Sequence, residues 1–302
     1  MEDSCRVNDP PRRGRLGVSA LKLEDETRKL AAPHGAIGLH RRFAQAFRHE
    51  LRRSFTWPAW DPLCVVGNAI LMASCWLFAP KALQDWLFTL HGDLAFPMVL
   101  AIWMYSDVPA TNVIANDPDA VLSRLDDRPG LYVLLGAKNA VLWLLVSPVC
   151  MAVALGVGWA TDNLENTLLT MVWIAVVPFG VLGIAAWLGV FFPYHPIPVK
   201  VRWEHRRQWW RMGVRWGLLM VTPYGYVPAL ATVLVLPSMT LWRFTAAHGI
   251  GGRLSSREFL VGVLVTIVLA VAGWVLGHWV AVGYLQRRHS RIEAFLNDPL
   301  AG

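Results

Sequence analysis

Two groups of carboxylates lie close together near the middle of the chain. One is Asn116-Asp117-Pro118-Asp119, the other Asp126-Asp127 followed by Arg128. Aspartates at such spacing supply hard oxygen ligands, so they could hold a divalent cation against a phosphate leaving group. The same residues on a short helix, with Leu122 and Leu125 between them, could instead present a face to a soluble partner. Other chemistry is scarce. There is no GxxxxGK[ST], GxSxG or HExxH pattern, so the chain has no P-loop of its own and no hydrolase elbow. Cys5, Cys64, Cys75 and Cys150 form no CxxC pair and read as reduced packing residues, with neither a disulfide framework nor a zinc site. No catalytic residue, metal centre or cofactor is expected.

These acids have to be held by something unusually apolar. The chain has 302 residues, of which 55% are hydrophobic and 16% charged, with mean hydropathy +0.40. A soluble domain carries about 25% charged residues. Apolar runs of about 20 residues recur, which indicates an all-α, polytopic membrane protein. Sixteen tryptophans suit the headgroup level, and the net charge of +7 suits cytoplasmic loops and anionic lipid, not nucleic acid.

In chain order, residues 1–38 read as a disordered cytoplasmic arm with Pro10-Pro11-Arg12-Arg13. Residues 39–56 read as an amphipathic interfacial helix. Leu39, Phe43, Phe47, Leu51 and Phe55 recur every four positions, and Arg41, Arg42, Arg48, His49, Arg52 and Arg53 fill much of the remaining surface. Trp57-Pro58-Ala59-Trp60-Asp61-Pro62 breaks it. Six transmembrane helices are expected near 63–79, 94–114, 131–159, 168–192, 217–236 and 259–285, with 286–302 a basic cytoplasmic tail. A second membrane-surface group, Trp209, Trp210 and Arg211, lies between the fourth and fifth spans.

Asp107, Asn139 and His278 are the polar candidates within or beside apolar runs, where an ionisable group is a functional hypothesis. Gly273-Trp274-Val275-Leu276-Gly277 is a GxxxG helix-packing signal, and Gly180 and Gly183 suit close approach. The basic segments at both chain ends and between the fourth and fifth spans share one side with six spans. That side is expected to be the cytoplasm, with both termini on it and the Asn116–Arg128 stretch facing it.

Two resemblances follow. Asn116-Asp117-Pro118-Asp119 is similar to the NDxxD diphosphate site of membrane prenyltransferases, with Ala120 where the second Asp belongs. That resemblance implies a magnesium-dependent lipid-diphosphate transferase. The wider order is a surface helix, two spans, a polar segment, a tight hairpin pair and two closing spans. With Thr111-Asn112-Val113, Asn116-Asp117, Val121-Leu122 and Leu134-Leu135-Gly136-Ala137-Lys138-Asn139-Ala140, it resembles the permease subunit of ABC-2 type ABC exporters. This second resemblance covers most of 39–285. It implies that Asn116, Asp117, Asp119, Leu122, Leu125, Asp126, Asp127 and Arg128 contact a separate soluble ATP-binding-cassette subunit. It also implies that two six-span units form a homodimer or heterodimer in the cell membrane, and that ATP is hydrolysed on the partner. A lipid-like or amphipathic substrate and, as a third possibility, a non-catalytic membrane scaffold complete the expectations.

Overall fold

The structure, a computed structural model, describes residues 38–56, 59–78, 80–82, 95–106, 112–162, 164–191, 193, 221–234, 236 and 257–297. These are helices joined by turns, with no strand among the described residues. In chain order they are α1 (Leu39–Ser54), α2 (Trp60–Phe78), α3 (Ala95–Tyr105), α4 (Pro118–Leu122), α5 (Arg128–Ala160), α6 (Leu164–Phe191), α7 (221–234), α8 (Arg257–Arg287) and α9 (His289–Asn297). Three, α5, α6 and α8, are long and apolar enough to cross a membrane, and α2 and α3 carry shorter apolar stretches.

Local chemistry sets the boundaries. Asp127 stands at the N-cap of α5 with Pro129 in the first turn, where its missing N–H costs nothing. The α5–α6 hairpin turns through Asp162 at φ 50°. Helix α3 ends at Tyr105, and residues 112–117 are turn, so the run expected as one span over 94–114 is not one continuous helix. Asn112 donates to the Asn116 side chain at 2.9 Å, and Pro118 favours a helix start over a helix interior. Burial of Val113, Ile114 and Ala115 offsets the lost helical bonds.

The α6–α8 contact is the most extensive in the bundle. Its basis is the absence of side chains. A Cβ on Gly183 would overlap the Trp274 backbone, and one on Gly277 would overlap the Gly183 carbonyl. The GxxxG signal therefore marks a real backbone-to-backbone approach. Helix α5 packs on the other side of α6 and repairs a defect in it. Pro178 removes an amide, and its ring displaces the preceding turn. Ser147 donates to the Ile174 carbonyl at 2.9 Å and Trp143 Nε1 to the Ala175 carbonyl at 2.8 Å. The Tyr105 hydroxyl joins Ser147 at 2.7 Å and draws α3 into the same seam.

Candidate docking segment and its buried charge cluster

One end of the bundle gathers the start of α5, the ends of α6 and α8, and the segment 112–127. Val113, Ile114, Ala115, Ala120, Val121 and Leu125 from that segment share a core with Leu131, Leu134 and Leu135 of α5. Ala186 and Val190 of α6, Ala281, Val282 and Leu285 of α8, and Ile292 and Leu296 of α9 complete it. The segment is thus set into the ends of three long helices at once. Its outer side exposes Asp119, Ser123 and Asp126, with exposed Arg128 of α5 next in sequence.

The expected site residues separate accordingly. Asp119, Asp126 and Arg128 face outward, and Asp126 lies 3.5 Å from His289 of α9. Leu125 is buried in the core, and Leu122 is half-buried beside it. Asn116 is held by Asn112. Asp117 turns inward: its Oδ1 accepts from the Ala120 amide at 3.3 Å, capping α4, and its Oδ2 accepts from His49 Nε2 at 3.0 Å. Asp127 lies 3.8 Å from Arg42. Asp117 and Asp119 therefore diverge, one half-buried and engaged, the other exposed, and do not converge on a common ion. Among the described residues no group of three or more His, Cys, Asp or Glu could hold a metal.

Behind Asp117 lies a cluster that sequence reasoning did not single out. Helix α1 turns His49, Glu50 and Ser54 inward, all buried. Arg53 makes a two-bond fork to Glu50, at 3.0 and 2.6 Å, and reaches Asp61 of α2 at 3.1 Å. Ser54 donates to the same Asp61 oxygen at 2.8 Å. Lys138, about 15 Å along α5 from its start, donates to the Val113 carbonyl at 2.7 Å and so ties the turn segment to the long helix. Glu50, Arg53, Asp61, Asn116 and Lys138 line a small pocket of about 10 Å³ between α1, α2, the turn segment and α5.

The electrostatics follow from this packing. Burial alone would raise the Asp117 carboxyl, but the His49 hydrogen bond and the charges of Lys138, His49 and Arg53 outweigh it and hold Asp117 well below the usual carboxylate range. Burial would lower Arg53, yet its fork to Glu50 and the nearby Asp61 and Asp117 raise it. Arg124 is lowered by burial, partly offset by Asp117 and Asp127, and donates to the Ala120 carbonyl at 2.9 Å.

A second polar pair lies deeper. Asn139 of α5 and His278 of α8, two of the polar candidates, meet at 3.2 Å, both buried. His278 Nδ1 lies 2.7 Å from the Trp274 carbonyl, to which it donates, and the Leu135 carbonyl also faces the ring. The Asn139 Oδ1 has no hydrogen-bond partner. The third candidate, Asp107, and the surface group Trp209, Trp210 and Arg211 lie outside the described residues.

On α1, Arg48 and Arg52 are exposed, Phe43 is at the edge of exposure, and Phe47 and Leu51 are half-buried. A repeat of four drifts about 40° per step on a helix of 3.6 residues per turn. The apolar stripe therefore winds around α1, and the inward side takes in the polar His49, Glu50 and Ser54 as well. The signals for the cluster were the spacing of Arg42, His49 and Arg53 on one side of α1, and a lysine inside an apolar run. No family model, curated protein or solved structure matches the chain.

Proposed function

We propose that this chain is the membrane subunit of an ABC-type exporter, with six transmembrane helices and a surface helix at 39–54. A separate ATP-binding-cassette subunit drives it, and the 112–127 segment is the coupling contact. The observation that carries the reading is the position of that segment. It has an exposed outer face of Asp119, Ser123 and Asp126, while its inner face shares one core with α5, α6 and α8. Packed interfaces transmit displacement because they shift between discrete arrangements and do not deform continuously. A push on such a segment reaches three candidate spans without any chemistry in this chain.

The contact side is taken to be cytoplasmic, with both termini there and the protein multi-pass in the cell membrane. Helix α9 packs on α4, and α1 reaches Asp117, so the described parts nearest both chain ends lie with this segment at one end of the bundle. The permease would act as a homodimer or heterodimer on a lipid-like or amphipathic substrate. Co-purification tests the reading. Reversing the exposed charges in Asp119→Lys with Asp126→Lys should release a P-loop ATPase that the unaltered chain retains. A chain that retains no ATPase, and whose deletion causes no transport defect, would be the membrane scaffold instead.

A further inference from the structure

Helix α1 is fastened to the chain on both sides of α4. Arg42 lies 3.8 Å from Asp127, just before α5, and His49 lies 3.0 Å from Asp117, the α4 cap. Arg42 and His49 are seven positions apart, so they project from one side of α1, about 20° apart. That side is buried or half-buried. The side about 90° further round the helix carries Arg41, Arg48 and Arg52, all exposed. They are spaced seven and then four apart, so they fall within about 40° of each other and form a row along the helix. Phe47 and Leu51 flank this row. Leu39 at one end and Phe55 at the other are 66% and 59% exposed.

A row of arginines beside apolar side chains matches the surface of an anionic bilayer, each cation near such a surface contributing about 1 kcal/mol. One helix therefore carries a side complementary to anionic lipid and, about 90° round its axis, a salt bridge to Asp127 and a hydrogen bond to Asp117 of the docking segment. We propose that α1 senses the negative charge of the membrane surface and passes it to the segment 112–127. Anionic headgroups drawn to Arg41, Arg48 and Arg52 fix α1 in place. Through Arg42–Asp127 and His49–Asp117, that fixes the segment whose outer face carries Asp119 and Asp126. Lipid charge and partner binding at that face are then thermodynamically linked, each altering the other by the same factor. The inference rests on the surface placement of α1, but not on the identity of the partner.

Amide hydrogen exchange of the full chain tests it. The protein is placed in nanodiscs of phosphatidylcholine alone, or of phosphatidylcholine with phosphatidylglycerol. The expected result is slower exchange in the anionic discs both in residues 39–54 and in residues 112–127, by about 5-fold or more in the latter. His49→Gln and Arg42→Gln should keep the response of 39–54 and lose that of 112–127, whereas Arg41→Gln with Arg48→Gln and Arg52→Gln should lose both. These last three residues are exposed, and this variant leaves the Arg42 and His49 contacts in place. No lipid response in residues 39–54 would overturn the surface placement together with the proposal. A response in α1 that never reaches 112–127, or one that persists there in both His49→Gln and Arg42→Gln, would overturn the linkage alone.

Discussion

His49 and Asp117 are 68 positions apart in sequence and meet at 3.0 Å, joining α1 to the cap of the shortest helix in the described fold. One carboxylate does two jobs there. Its Oδ1 holds the Ala120 amide and its Oδ2 holds the imidazole. His49→Ala leaves a largely buried carboxylate without its nearest partner. The expected loss of stability is about 2–3 kcal/mol, measured as a lower unfolding midpoint in detergent. Asp117→Asn keeps the cap and should cost less.

Acid should expose the same contact. Asp117 is held below its ordinary value of about 4, so its ionised form favours the folded state. That contribution is fully present above about pH 4 and is lost as pH falls below 4 toward the lowered folded value. The unfolding midpoint of the unaltered chain should therefore fall over that range, and the fall should be shallower in Asp117→Asn. Equal slopes in the two proteins would contradict the assignment.

The repair of the Pro178 defect gives a third expectation. Ser147→Ala removes the donor to the Ile174 carbonyl, and Trp143→Phe removes the donor to Ala175. Each should cost about 1 kcal/mol in the unaltered chain, measured by denaturant titration in mixed micelles. Replacing Pro178 with Ala restores the helical amide and should roughly halve both costs.

The α6–α8 seam admits no added bulk. Gly183→Ala or Gly277→Ala should lower stability by about 3 kcal/mol, because the new atom meets backbone and not a movable side chain. Gly156→Ala and Gly225→Ala, where nothing lies near an added Cβ, are the matched controls and should be close to neutral. Comparable losses at the seam and control positions, in thermal stability and yield, would argue against the close approach.

The long helices were legible in the sequence because a continuous apolar run states its own length. The runs at 131–159, 168–192 and 259–285 correspond to α5, α6 and α8 within a few residues. The GxxxG pair was legible for a similar reason, since only small residues permit that contact. The charge cluster was not. His49, Glu50 and Arg53 look like solvated charges on a basic helix until Asp61, Asp117 and Lys138 are brought to them by the fold. Leu125 read as part of an outward face because the segment was taken as one helix. It turns inward because helix α4 ends at Leu122 and residues 123–126 are turn. Lys138 was the one cue in plain view, because a cation inside an apolar run needs an acceptor.

The side of the membrane on which the docking segment lies is the most direct test of a coupling role. With the four native cysteines replaced, a single cysteine at exposed Ser123 would be treated with a membrane-impermeant maleimide in intact cells and in inverted vesicles. Labelling in inverted vesicles alone is the expected result. Labelling in intact cells would place the segment outside, beyond reach of any ATP-hydrolysing partner, and would contradict the proposed function.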